Sequence, residues 1–224
     1  MIPRSLAVFL LACVLPACAE TVQAVLARMD QEASSFKQVS GKLKRTEFTA
    51  VLNDKTVENG EMSLRRSGRT LAMRIDFTDP NARSIAVQGN TAEIYYPKIN
   101  TVQIYNLGKF GGLVDKFLVL GFGGSGKDIA KDYTVTAAGE ETVNGRKTTR
   151  LDLVPKAAKM REQIKKVELW IPADAGHPVQ QRFVQGNDDY YLVTYSDLKL
   201  NPGLADSSFR LNLPANVKKE YPQK

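Results

Sequence analysis

The sequence predicts a mainly β protein with a few helices: one antiparallel sheet of about ten or eleven strands that curls into a barrel or half-barrel, with an N-terminal helix and a central helical insert. Three observations predict it. Between Gly60 and Asn106, run after run places large apolar residues at every second position, the period of a strand with one wet and one dry face. The turns between these runs, Asp79-Pro80-Asn81, Gly89-Asn90 and Pro97 to Asn100, are short enough to join antiparallel neighbours. A helically spaced stretch precedes the strands, and a second, unusually apolar one interrupts them.

The first nineteen residues stand apart. Met1 to Ser5 is a short basic start, Leu6 to Leu15 an apolar core, and Pro16-Ala17-Cys18-Ala19 supplies small residues. This is the pattern of a secretory signal, too short to be a permanent span. The expected organisation is a signal peptide over 1–19 and one domain over 20–224. Ala17-Cys18-Ala19 fits ordinary cleavage before Glu20, whereas Leu15 to Cys18 also resembles a lipobox in which Cys18 is acylated. Both cysteines, Cys13 and Cys18, lie in this leader, so the mature chain is expected to have no disulfide, thiol nucleophile or cysteine metal site.

From Thr21 to Lys37, Val22, Val25, Leu26, Met29 and Phe36 form one helical stripe, expected to pack on the sheet or across its mouth. Extended chain follows from Gln38 to Leu52, and Asn53-Asp54 turns it into Thr56 to Arg66. Leu71, Met73, Ile75 and Phe77 then alternate, followed by Ile85 and Val87, by Ala92, Ile94 and Tyr96, and by Val102 and Ile104. After the insert, Val143-Asn144-Gly145 joins Thr134–Glu141 to Lys147–Val154 as a hairpin. Val167 to Ile171, Val179 to Phe183, Tyr191 to Tyr195 and Phe209 to Leu211 complete the strands. Neither a linker nor a repeat divides the chain.

Most chemical motifs fail on context. Gly121 to Lys127 contains G-x-G-x-x-G and G-x-x-x-x-G-K, but Asp128 stands where a phosphate loop needs Ser or Thr, and the surroundings are not alternating β and α. The only histidine, His177, sits in a turn without metal-ligating company. Ser125 lacks the last glycine of a nucleophile elbow. No enzyme, metal or cofactor is expected. The 31 Lys and Arg against 24 Asp and Glu give a net charge of +7. Lys42, Lys44 and Arg45, with Arg65, Arg66 and Arg69, form basic clusters. An exported chain does not meet nucleic acid, so these read as a solvated face or a dock for anionic surfaces.

The insert from Phe110 to Leu120 has seven apolar residues in eleven, including Phe110, Leu113, Val114, Phe117 and Leu118. Such a helix must rest on the open face or mouth of the sheet, either completing a filled core or covering a hollow. Gly111 and Gly112 before it, and Gly121, Gly123 and Gly124 after it, are expected to act as hinges. A curved apolar sheet with a hinged apolar cover is suited to an acyl chain, each buried methylene being worth about 0.8 kcal/mol. Ile75, Phe77, Ile85, Val87, Ile94 and Tyr96 are the candidate lining.

Several segments together resemble the periplasmic outer-membrane lipoprotein carrier (LolA-like) family. They are Ser35-Phe36-Lys37-Gln38 after the amphipathic helix, Gly60 to Arg66, and Met73 to Pro80 preceding Val87-Gln88-Gly89-Asn90. Ile94-Tyr95-Tyr96-Pro97 and Phe209 to Val217 complete the likeness. The resemblance implies an incomplete, half-open antiparallel β-barrel capped by the N-terminal helix and a central helical lid. The same resemblance implies a monomeric, non-enzymatic carrier that takes lipoprotein acyl chains from an inner-membrane lipoprotein-releasing transporter to an outer-membrane receptor, with transient membrane contact. It also implies that Arg66 bonds to the lid backbone and keeps the empty form shut. Ser67 stands where the family usually has proline. An acylated Cys18 would instead imply an outer-membrane lipoprotein that receives cargo or senses lipid.

Overall fold

The computed structural model describes residues 20–68, 70–78, 80–108 and 120–223. Residues 1–19, expected to be a signal, and Phe110 to Val119, with Gly111, Gly112, Leu113, Val114, Phe117 and Leu118, lie outside these residues.

Alternation translates into strands. Helix α1 (Val22–Ser35) is followed by β1 (Gln38–Thr49), β2 (Asp54–Ser67), β3 (Thr70–Phe77), β4 (Arg83–Gln88), β5 (Thr91–Tyr96) and β6 (Thr101–Asn106). Helix α2 (Gly126–Asp132), strands β7 (Tyr133–Val143) and β8 (Arg146–Pro155), and a single helical turn α3 (Ala158–Arg161) come next. Strands β9 (Ile164–Pro172), β10 (Gln180–Gln185), β11 (Tyr190–Leu200) and β12 (Lys218–Glu220) end the chain. All twelve lie in one open sheet, ordered β12-β6-β5-β4-β3-β2-β1-β11-β10-β9-β8-β7. Neighbours are antiparallel except β12, which runs parallel to β6. This is the expected incomplete barrel.

Register writes one apolar face across the sheet, because residues directly opposite in a ladder point the same way. Val39, Leu64, Met73, Val87 and Ala92 form one such row. Met62, Ile75, Ile85 and Ile94 form the next. Tyr195, Leu43, Gly60, Phe77 and Arg83 form a third.

Two apolar clusters share this face. Under α1, buried Val25 and Met29 meet Leu151, Leu153, Val167, Leu169 and Ile171 of β8 and β9. The second cluster joins Val39, Leu43, Met62, Leu64 and Met73 to Phe122 and Tyr195. Helix α1 is capped by Thr21, whose hydroxyl accepts from the Ala24 N–H at 3.2 Å. Its polar side is pinned as well. Arg28 donates to Ala175 O at 2.8 Å and pairs with Glu20, and Glu32 accepts from Gly176 N at 2.9 Å. His177, read from sequence as a companionless turn residue, is buried with Nδ1 2.7 Å from Glu32 Oε1. It fastens α1 to the β9–β10 turn.

Two differences from the sequence reading concern the second half. Phe209 to Leu211 is not a strand. Asp206–Phe209 is a short 3-10 turn lying against the outer side of β2 to β4, where Phe209 is buried under Arg65. Gln88 and Arg74 hold it by donating to the carbonyls of Phe209 and Arg210, at 3.0 and 2.8 Å. Helix α2 is the other. Its signal was present in Ser125, whose side chain accepts from Asp128 N at 3.0 Å as an N-cap. Gly126 faces the backbone of Leu26 too closely for a side chain, so the glycine-rich run serves to seat α2 on α1.

Candidate functional site: an apolar cavity with a charged end

The apolar face encloses a cavity of about 440 Å³, within the range of roughly 300–1,000 Å³ usual for small-molecule sites. Ile75, Phe77, Ile85 and Val87 line it, together with Leu43, Met62, Leu64 and Met73. The opposing wall carries Phe183, Val193 and Tyr195 from β10 and β11, and Ile164 from β9. Ile94 and Tyr96 point to the same side of the sheet through their register but lie beyond the lining.

Leu120 to Gly124, the segment that follows the apolar insert, plugs one end of this face. Phe122 is fully buried and meets the Tyr195 ring edge-on, centroids 5.1 Å apart. Buried Gln181 donates to Leu120 O and accepts from the Tyr195 hydroxyl at 2.9 Å. Arg66 reaches across from β2 and donates to Gly123 O at 3.1 Å. Gly121 and Gly123 have φ of +88° and +68°, a region that favours glycine. They are also tightly packed: a Cβ on Gly121 would lie 2.6 Å from Pro178, and one on Gly123 would collide with the Phe36 ring. In this state both act as seats. Gly124 follows them.

Alternation splits each basic cluster between the two sides of the sheet. Lys42 points outward to an exposed pair with Asp197 at 2.9 Å, and Arg65 to Asp206 at 2.6 Å. Arg45 and Arg66 point inward. At the end of the cavity away from Phe122, Arg45 and Arg83 are the only charged lining groups among the described residues. Buried Glu58 joins them, accepting from Arg45 Nη1 at 2.8 Å and from Arg83 Nη1 and Nη2 at 2.5 and 2.9 Å. Sequence reasoning missed this trio. The signal was faint but present: Glu58 sits two residues before Gly60 in β2, on the inward register.

The Arg83 guanidinium, with Arg45 adding to it against the penalty of burial, holds the Glu58 carboxyl below its ordinary 4.5. Glu20 is held down likewise by Arg28. Such groups bind fewer protons folded than unfolded, so their stabilisation is complete above the unfolded pKa and is lost as pH falls through the folded one. The midpoint of thermal unfolding is therefore expected to fall as pH drops below about 4.5. Glu58→Gln should flatten part of that fall, and an unchanged acid limb would show that Glu58 contributes nothing to it.

The family described as "Outer membrane lipoprotein carrier protein LolA" matches residues 34–212. The chain belongs to this family. No curated protein sequence matches it. Among solved structures, an uncharacterized conserved protein from Thermus thermophilus is similar at 12% identity with a TM-score of 0.55, over 89% of this chain and 98% of that one. MucB is similar at 15% identity with a TM-score of 0.54, over 88% of this chain; the chain spans 64% of MucB. Mycobacterium tuberculosis lipoprotein LppX has 18% identity and a TM-score of 0.47, over 82% and 98%. The fold is thus shared with the Thermus thermophilus protein and with MucB at very low identity. Among the described residues no helix is long and apolar enough to cross a membrane, and no group of three or more His, Cys, Asp or Glu is placed to hold a metal ion.

Proposed function

We propose that the protein is a non-enzymatic periplasmic carrier that hides lipoprotein acyl chains in the 440 Å³ cavity and moves them from the inner to the outer membrane. The observation that carries this reading is the cavity wall, apolar along two register rows and along a third as far as Phe77, in a chain whose family is that of lipoprotein carriers. Phe110 to Leu120 is the lid in this proposal, Gly111 and Gly112 its leading hinge, and Arg66 its latch through Gly123 O. The partners would be a lipoprotein-releasing transporter on one side and a receptor on the other.

Transfer from a carrier needs the lid to reclose as cargo leaves. Arg66→Leu removes one charge-assisted hydrogen bond, worth about 1.5–3 kcal/mol, from the shut form. The variant is expected to fold, to co-purify with more extractable lipid or lipopeptide than the wild type, and to release an acylated peptide to acceptor membranes more slowly. Unchanged loading and release would count against the latch, and wild-type protein that neither co-purifies with nor binds any acylated molecule would count against the carrier. The run Leu15 to Cys18 supports a second reading, an anchored receptor. Mass spectrometry of the mature N-terminus separates them: Glu20 for the carrier, acylated Cys18 for the receptor.

A further inference from the structure

A cavity meant only for hydrocarbon has no use for charge, yet this one ends in two guanidinium groups. Arg45 and Arg83 have side chains only 23% and 17% exposed. Both are braced by aromatic faces: the Arg45 Cζ lies 4.6 Å from the Tyr191 ring centroid, and the Arg83 Cζ 4.3 Å from that of Phe77. Desolvating two cations is costly unless each finds a partner. Glu58 supplies one negative charge between them, leaving one positive charge over. The balance is made by Glu47, which accepts from Arg45 Nη2 at 2.8 Å and is itself 39% exposed.

The two carboxylates are therefore not equivalent. Glu58, with its side chain 4% exposed, is built into the wall. Glu47 belongs to the rim, and a surface ion pair of this kind contributes little, about 0–1 kcal/mol. We infer that Arg45 and Arg83 form a headgroup site for an anionic single-headed amphiphile, whose chain fills the cavity while its carboxylate or phosphate takes the place of Glu47. The guanidinium fork matches both anions. Glu58 stays in place, holding the two forks at the end of the cavity, and Glu47 occupies the position until the ligand arrives. The inference rests on the proposed acyl-binding cavity and adds a second class of ligand to the acylated proteins, a free anionic amphiphile.

The test is binding by the mature chain, below the micellar limit of each probe, of three molecules with the same sixteen-carbon chain: palmitate, palmitoyl lysophosphatidic acid and monopalmitoylglycerol. At least one anionic probe is expected to bind about tenfold or more tightly than the neutral one, and the better of the two names the head. Arg45→Gln, checked for native circular dichroism, should remove that preference. Glu47→Gln should tighten anionic binding several-fold and leave the neutral probe alone. Equal affinities for all three probes, or a Glu47→Gln variant with unaltered anion binding, would overturn the headgroup site while leaving the acyl cavity standing. Failure of all three to bind would remove the cavity reading and the headgroup site with it.

Discussion

Phe122→Ala is expected to cost about 3–5 kcal/mol of stability, the range for emptying a buried aromatic position. The ring is fully buried, and it stands where strands from both walls meet the chain leaving the insert. It meets Tyr195 edge-on and lies 6.0 Å between centroids from the His177 ring, and both of these neighbours are held by bonds of their own, to Gln181 and Glu32. Removing it also undercuts Gln181 and Arg66, whose bonds to Leu120 and Gly123 depend on the same segment staying seated. Urea unfolding of the variant measures the loss, and Phe122→Leu should recover much of it. A deficit under about 1 kcal/mol would mean the segment is held by its polar bonds alone.

The second large effect is expected on the outer face. Glu168 is fully buried, 2.7 Å from Lys166 Nζ and in an ion pair with Arg182. Arg182 in turn leans on Trp170 and Tyr190, with Cζ 6.0 and 5.6 Å from their ring centroids. Burial alone would push the Glu168 carboxyl upward; the two cations outweigh it and hold the group below its usual range. Glu168→Ala leaves Arg182 without its carboxylate and Lys166 with Asp152 alone, at 2.9 Å, a change expected to cost about 3 kcal/mol. Replacing all three by apolar residues of similar size should restore most of the loss. If the triple replacement is as unstable as Glu168→Ala, packing and not charge is responsible.

Which parts were legible in the sequence follows from range. Alternation is a local signal, so β1 to β11 were visible in it, and Ile75, Phe77, Ile85 and Val87 could be assigned to one side of the sheet. Period two does not say which side is concave, nor how far a cavity extends along it, and Ile94 and Tyr96 fall outside the lining for that reason. The Glu58 trio was hidden because its members are 13 and 25 residues apart and meet only through strand register. Lys44 and Arg45 look alike in sequence, but the pleat sends them to opposite faces. The Glu32–His177 fastening spans 145 positions, and no short-range pattern announces it. Helix α2 was different: Ser125 and Asp128 announced it, and the glycines around them drew attention elsewhere.

The sheet never closes on itself, and that leaves two raw borders. On one, β12 lends β6 a three-residue selvedge: Lys218 N donates to Asn100 O at 3.0 Å, and the Gln223 side chain accepts from Asn106 N at 2.8 Å. On the other, β7 is kinked by a register shift between Ala137 and Glu140. Charged, short or bent margins discourage strands of separate molecules from knitting together. A chain clipped after Asn216 would bare the flank of β6, and self-association along that seam is what its solutions should then show.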